Sequence, residues 1–314
     1  MDKIAILIPC YNEALTIEKV INDYKAALPE ATVYVYDNNS TDNTAEIALK
    51  AGAIVRHEYL QGKGNVVRRM FQDIDAEVYV MTDGDDTYPA EATVEMVDKV
   101  INRHVDMVVG DRLSSTYFNE NKRPFHNFGN SLVRGVINHI FKSDIKDIMT
   151  GLRAFSFRFA KTFPVVSKGF EIETEMSIHA ISMNMAVENV IVDYRDRPEG
   201  SESKLNTFSD GAKVLIKIFD LFKNYRPLLF FSIVSLLMFV VSVATFIPAV
   251  LLPFIHTGLV DRYPTLFVCC FTTLVAVIAF FNGMVLDSLK NKERREFEFR
   301  LQVADQIKKS LEEK

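Results

Sequence analysis

The stretch from Leu228 to Ile255, LLFFSIVSLLMFVVSVATFIPAVLLPFI, contains no charged side chain. It is longer than the roughly 20 apolar residues that cross the hydrocarbon core of a bilayer. A second uncharged run, Pro264 to Leu286, follows after the short loop His256 to Tyr263. Buried helices of a water-soluble protein rarely continue this far without a charge, so the pattern predicts two membrane-spanning helices joined as a hairpin. Lys213, Lys217, Lys223 and Arg226 precede the first span and Lys290, Lys292, Arg294 and Arg295 follow the second, whereas the connecting loop has only Arg262 beside Asp261. Because Lys and Arg collect on the cytoplasmic side, a multi-pass protein of the cell membrane is expected, with both flanks of the hairpin in the cytoplasm.

The hairpin divides the chain into residues 1–206, a juxtamembrane helix over 207–226, the spans over 227–288 and a tail over 289–314. Phe208, Leu215, Ile218, Phe219 and Phe222 share one face of the juxtamembrane helix and Lys213, Lys217, Asp220 and Lys223 lie largely elsewhere. Such a helix lies on anionic headgroups, although the same pattern also reads as a surface helix of the preceding domain. The charged tail reads as a solvated helix with no chemistry of its own.

The formal net charge of -5 excludes an ordinary nucleic-acid binder, which needs an excess of Lys and Arg on one face. Cys10, Cys269 and Cys270 are the three cysteines, and they stand in apolar runs. This is no secreted-type disulfide framework, and a reducing compartment is expected for the soluble part. Met1-Asp2-Lys3 leads directly into Ile4-Ala5-Ile6-Leu7-Ile8 and Pro9 with no cleavage site, so an N-terminus that stays in the cytosol is expected.

Up to about residue 110, short β-branched runs alternate with helical periodicity, the pattern of βα units in an α/β fold with a mostly parallel sheet. Ile4 to Ile8, Thr32 to Tyr36, Ala53 to His57, Glu77 to Met81 and Asp106 to Val109 read as strands. Ile17, Val20, Ile21, Tyr24 and Leu28 recur at helical spacing, which predicts a helix over Glu13 to Leu28. Ligands of such sheets bind beyond the carboxyl ends of the strands.

Four of those ends carry chemistry: Pro9-Cys10-Tyr11-Asn12-Glu13, Asp37-Asn38-Asn39-Ser40-Thr41-Asp42, Gly62-Lys63-Gly64-Asn65 and Asp83-Gly84-Asp85-Asp86. Asp37 stands where a carboxylate accepts hydrogen bonds from a ribose or base. The residues that follow it read equally as a helix cap and turn. Asp83 and Asp85 lie two apart at a strand end, and hard cations such as Mg2+ or Mn2+ choose carboxylate and diphosphate oxygens. An acidic turn is the other reading of the same residues.

Taken together, these four segments resemble the family 2 glycosyltransferases with the GT-A fold, a Rossmann-like catalytic domain. Asp147-Ile148-Met149-Thr150-Gly151-Leu152-Arg153 and the segment from Arg197 to Leu205 resemble the polyprenyl-phosphate subgroup, the dolichol-phosphate mannose synthase and bacterial GtrB-like enzymes. The resemblance implies a donor pocket of Pro9, Tyr11, Glu13, Asp37, Lys63 and Asp83, with a divalent metal at Asp83 and Asp85. It further implies an acceptor-phosphate site of Arg112, Arg134, Arg153, Arg197, Ser203 and Lys204. Arg153 reads equally as a partner of Asp147, and the arginines also read as headgroup anchors. The subgroup often has a glutamine two residues after the second aspartate, where this chain has Thr87.

The expected reaction is inverting transfer of glucose or N-acetylglucosamine from a UDP-sugar to undecaprenyl phosphate, for cell-envelope glycan modification. GDP-mannose is the alternative donor. A lipid monophosphate is largely dianionic at neutral pH, so a strong general base is unnecessary. Asp147 is expected to orient the acceptor or to stabilise positive charge on the sugar, and Asp85 to act with the metal. A processive family 2 enzyme would usually carry a Gln-x-x-Arg-Trp-type segment, and this chain has no Trp. The reading from another class is an inactive membrane scaffold. Homo-oligomerisation follows from the resemblance alone, as the spans show no small-xxx-small stripe.

Overall fold

The computed structural model describes residues 1–114, 135, 138, 144–169, 171–195, 219–220 and 222–313. They form two compact units, Met1–Ile218 with Phe297–Lys314, and Phe219–Glu296.

The first unit is a mixed α/β sheet of seven strands, β1 (Asp2–Cys10), β2 (Ala31–Asp37), β3 (Ile54–His57), β4 (Ala76–Met81), β5 (Met107–Asp111), β6 (Arg153–Ser156) and β7 (Val187–Ile191), in the order β3-β2-β1-β4-β6-β5-β7. All five strands expected from the sequence are present. β1 pairs in parallel with β2 and β4, and β2 with β3, while β6 runs antiparallel between β4 and β5. Ala5, Ile6, Leu7 and Ile8 are all fully buried, as a central parallel strand covered on both faces requires.

Helix α1 (Ile17–Ala27) buries Ile17, Val20, Ile21 and Tyr24, the face its periodicity predicts. The crossovers α2 (Thr44–Lys50), α3 (Lys63–Asp73) and α4 (Ala92–Asn102) follow β2, β3 and β4. After β6 come α5 (Phe157–Thr162) and α6 (Ile172–Ser182). Ile172 through Ala180 are all buried in α6, including Glu173, Glu175 and His179. The chain order moves outward from β1 through β2 to β3 on one side and resumes at β4 on the other. The crevice between those two directions is where ligands settle in sheets of this kind.

The second unit contains α7 (Pro227–Phe246), a wider turn over Ile247–Leu251 and α8 (Leu252–Thr257). Helix α9 (Tyr263–Glu312) begins in this unit. Pro227–Thr257 and Tyr263–Glu312 are both long and apolar enough to cross a membrane. Ser242 lies between the two: its Oγ donates to the carbonyl of Cys269 at 2.8 Å and is 2.9 Å from Thr273 Oγ1. Of the expected juxtamembrane face only Phe219 and Phe222 are described, and both rings meet Phe230 edge-on. Phe208, Leu215 and Ile218 lie outside the described residues.

The tail departs from the expectation of a solvated helix. Phe297, Leu301 and Ala304, spaced on one helical face, are buried within the first unit. The Phe297 ring stands edge-on to His179 at 5.3 Å and Lys308 pairs with Glu77 at 3.0 Å. An apolar stripe sparse among charged residues is easily read as solvated, and here it sets Phe297 against His179 of α6.

Candidate functional site

The strand register sets the site. Cys10 at the end of β1 lies opposite Asp37, and Asp37 lies opposite His57 at the end of β3. Asp37 is buried; its Oδ2 accepts the Ser40 N–H at 3.2 Å and is 3.3 Å from His57 Nδ1. Its Oδ1 is buried without a hydrogen-bond partner among the described residues. An acceptor held this way is costly, and it fits a ligand N–H or hydroxyl arriving from the crevice.

Much of the polar material around Asp37 builds the loops themselves. Asn12, at φ 55°, donates its N–H to Ser40 Oγ and accepts the Thr41 N–H on Oδ1. The Glu13 N–H donates to Thr44 Oγ1, and Asp42 accepts the Ala14 N–H. Asn38 donates to the carbonyls of Glu58 and Leu60 and accepts the Gly62 N–H. Three strand ends are thus sewn together, which leaves Pro9, Tyr11 and Glu13 along the rim. Tyr11 is 38% exposed, and Pro9 and Glu13 are half-buried.

On the other side of β1, Asp83 and Asp85 follow β4. Thr87 donates both its N–H and its hydroxyl to Asp85 Oδ1, the latter at 2.6 Å. The residue that departs from the subgroup pattern therefore braces the second aspartate. A Cβ at Gly84 would lie 3.0 Å from Cys10 Sγ, and one at Gly151 would lie 2.2 Å from Asp83 Oδ2. At Gly151 a side chain would displace the Asp83 carboxylate, and at Gly84 the fit against Cys10 is close.

Lys63, at the start of α3, reaches into this turn. Its ammonium donates to Asp83 Oδ1 at 2.5 Å and to Glu173 Oε1 at 2.7 Å. Burial works against its charge, yet the two carboxylates together hold the ammonium above its ordinary range. Burial pushes the Glu173 carboxyl up, with Lys63 opposing. Glu173 was not singled out in the sequence; the signal was there as Glu171-Ile172-Glu173-Thr174-Glu175, acids spaced through an otherwise apolar helix.

Asp147 is fully buried and held in two bonds by Arg112, from Nε to Oδ2 at 2.7 Å and from Nη2 to Oδ1 at 3.2 Å. Arg112 also donates to the Met149 carbonyl and lies over the rings of Tyr88 and Tyr194. The Tyr88 hydroxyl accepts the Gly151 N–H at 2.9 Å; the segment 147–151 thus bonds Arg112 through Asp147 and Met149 and approaches Asp83 at Gly151.

Arg153 corrects the expectation of an acceptor-phosphate ligand. It is fully buried and donates to the carbonyls of Ile148 and Thr150 and to Ser177 Oγ. Nor does it pair with Asp147, which Arg112 holds. Burial brings its guanidinium down to about 10, still protonated at neutral pH. Arg134, Arg197, Ser203 and Lys204 lie outside the described residues.

The model of the family described as "Glycosyl transferase family 2" matches residues 5–163. The chain belongs to glycosyl transferase family 2. Among its relatives, glycosyltransferase AglJ of Haloferax volcanii is 36% identical over 235 residues, 74% of this chain and 77% of AglJ. The dolichyl-phosphate hexose transferase of the same organism is 30% identical over 213 residues, 68% of this chain and 91% of that protein. A solved structure of Mycobacterium tuberculosis glucosyl-3-phosphoglycerate synthase, in complex with Mn2+, UDP and phosphoglyceric acid, superimposes with a TM-score of 0.56 at 17% identity. It covers 71% of this chain and 78% of that one. At that identity the likeness shows the GT-A-type fold alone. The protein is a glycosyltransferase, and the aspartates at its strand ends lie in the family's matched region.

Proposed function

We propose that this glycosyltransferase moves a sugar from a nucleotide diphosphate-sugar to a polyprenyl phosphate at the cytoplasmic face of a membrane. The observation that carries the reading is the crevice beside β1. The buried Asp37 Oδ1, without a partner among the described residues, lies on one side, and Asp83, Asp85 and Lys63, whose side chain is 7% exposed, lie on the other. A nucleoside suits the first side and a diphosphate the second. The acceptor class is supported by the likeness to the dolichyl-phosphate hexose transferase and by the two apolar helices.

Asp83 and Asp85 would hold Mg2+ or Mn2+. Among the described residues no third His, Cys, Asp or Glu completes a protein-only cage, which fits an ion of this kind that takes one or two carboxylates, diphosphate oxygens and water. The bound ion supplies Lewis-acid neutralisation of the leaving diphosphate. Lys63 adds a second positive charge at the same place. The dianionic lipid phosphate attacks the anomeric carbon with inversion, and the pair Arg112–Asp147 orients the acceptor side of the crevice. Asp147, held by Arg112 in two bonds, acts as an orienting group rather than as a base. UDP-glucose and UDP-N-acetylglucosamine are the leading donors and GDP-mannose the alternative, since differences of one substituent are read by a few hydrogen bonds.

The test is transfer of radiolabelled sugar from a panel of UDP- and GDP-sugars to undecaprenyl phosphate by the purified full-length protein. Mg2+, Mn2+ and chelator are compared beside Asp85→Ala. A chloroform-soluble product from one donor, lost with chelator and in the variant, is expected. Nucleotide binding with no lipid product from any donor would overturn the acceptor class.

A further inference from the structure

Lys63 occupies an unusual position for a donor-binding lysine. Its side chain is 7% exposed and lies between two carboxylates of different kinds: Asp83, with its side chain 27% exposed, and Glu173, with its side chain 9% exposed. One acid belongs to the turn after β4 and the other to the first turn of α6. The backbone carrying Lys63 is pinned. A Cβ on Gly62 would lie 2.2 Å from the Lys168 carbonyl oxygen, and one on Gly64 would lie 2.0 Å from that of Ser167. The Gly64 N–H donates to the Lys168 carbonyl at 3.0 Å. Only the side chain is therefore available to move.

From this geometry we infer that Lys63 is a resident counter-ion of the site. Glu173 is the positioning residue that keeps the ammonium in place when a divalent cation takes Asp83. The inference rests on the reading of Asp83 as a metal carboxylate. Without the ion, the lysine at 2.5 Å neutralises Asp83, so that Asp83 and Glu173 do not face each other as bare charges. A cation arriving at Asp83 meets a like charge already at contact, and the two repel. The ammonium, fixed at its base and covered from solvent, withdraws to the carboxylate it already touches at 2.7 Å. It then remains beside the diphosphate, where its charge assists the departure of the leaving group, instead of being expelled.

Binding of Mn2+ to the full-length protein in detergent, followed through the electron paramagnetic resonance signal of the free ion and without nucleotide, tests this directly. Lys63→Met removes the competing cation, and its affinity for Mn2+ is expected to rise on the order of tenfold. Glu173→Gln removes the carboxylate to which the lysine withdraws and is expected to weaken Mn2+ binding several-fold. In the Lys63→Met background, Glu173→Gln is expected to change nothing further, because it acts through the lysine. If Lys63→Met binds Mn2+ no tighter than the parent, the lysine does not compete and the inference fails. If Glu173→Gln weakens binding equally in both backgrounds, Glu173 acts through its own field and its assigned role is wrong.

Should either single variant fail to fold, the double variant, which carries neither the Lys63 ammonium nor the Glu173 carboxylate, decides against the parent. Tighter Mn2+ binding sustains the counter-ion, and equal or weaker binding removes it. Failure of the acceptor reading is separate, since it shows as absent lipid product with the Mn2+ cycle intact. If Asp85→Ala binds Mn2+ like the parent, the metal reading itself falls.

Discussion

A single methyl group measures how tightly the site is built. At Gly151 an added Cβ would lie 2.2 Å from Asp83 Oδ2, so Gly151→Ala forces the carboxylate to turn away from the crevice. Misplacing one reacting group by about an ångström costs on the order of 10²-fold in rate. That loss is expected in sugar transfer, together with weaker Mn2+ binding and a melting temperature close to the parent's. Arg153 gives the opposite signature. Its guanidinium holds the carbonyls of Ile148 and Thr150 and the Ser177 hydroxyl. Arg153→Met strands those groups in the interior and should destabilise the protein by about 3 kcal/mol, read as a lower urea midpoint in detergent. An acceptor-binding arginine would instead lose rate at unchanged stability. No reading of the sequence separates Arg153 from Arg112. Arg153 is six residues from Asp147 in the chain and Arg112 thirty-five, yet it is Arg112 that holds the carboxylate, while Arg153 is tied to Ser177 of α6. The placement of Asp83, Asp85 and Asp37 at one edge of the sheet was legible because strand ends in parallel sheets point to one edge, and that rule needs no packing detail. Glu173 was not, since its meaning comes from Lys63, a residue 110 positions away.

Among the elements, α6 couples interior chemistry to exterior packing. Its first turn presents Glu173 to Lys63, and two turns later His179 is enclosed by Phe159, Phe163 and Phe297, its Nε2 without a partner among the described residues. Burial pushes this imidazole from 6.5 down to about 4. Between those two values the unfolded chain binds a proton that the folded one refuses, so stability falls as pH falls. The contribution is fully present above 6.5, and about 2 kcal/mol of it is gone near pH 5. Melts at neutral pH and near pH 5 should show this acid loss in the parent and a smaller one in His179→Phe; equal losses would remove His179 from the account. The strands β1 to β5 were readable because each is a β-branched run between helical periods. β6, four residues in an antiparallel slot, has too little pattern to announce itself. The docked part of α9 was hidden for a related reason: its three buried residues are scattered among charges, and a stripe that thin acquires meaning only from the aromatic surface it covers.

At the scale of the whole molecule, the donor reading and the membrane reading constrain each other. The proposed donor, a cytoplasmic nucleotide-sugar, calls for a strand-end crevice on the cytoplasmic side, and the distribution of charge around the two apolar helices is the independent argument for the same proposal. Arg226 precedes α7, and Lys290, Lys292, Arg294 and Arg295 follow the apolar part of α9, while the turn between the helices holds Arg262 beside Asp261. Each basic residue near a span end favours the cytoplasmic side, and acidic ones count for little. The two readings would conflict if the turn and the tail faced the same compartment. In a background with Cys10, Cys269 and Cys270 replaced, Leu259→Cys places a thiol in the turn at a 66% exposed position. Lys309→Cys places one on the exposed side of the tail. A membrane-impermeant maleimide applied to intact cells should label the first and reach the second only after permeabilisation. Labelling of the tail in intact cells would place the catalytic unit outside, away from any cytoplasmic nucleotide-sugar, and the proposed donor would fall with the topology. Labelling of neither until permeabilisation would mean that the hairpin does not span, and the acceptor would then have to be reached from a peripheral position.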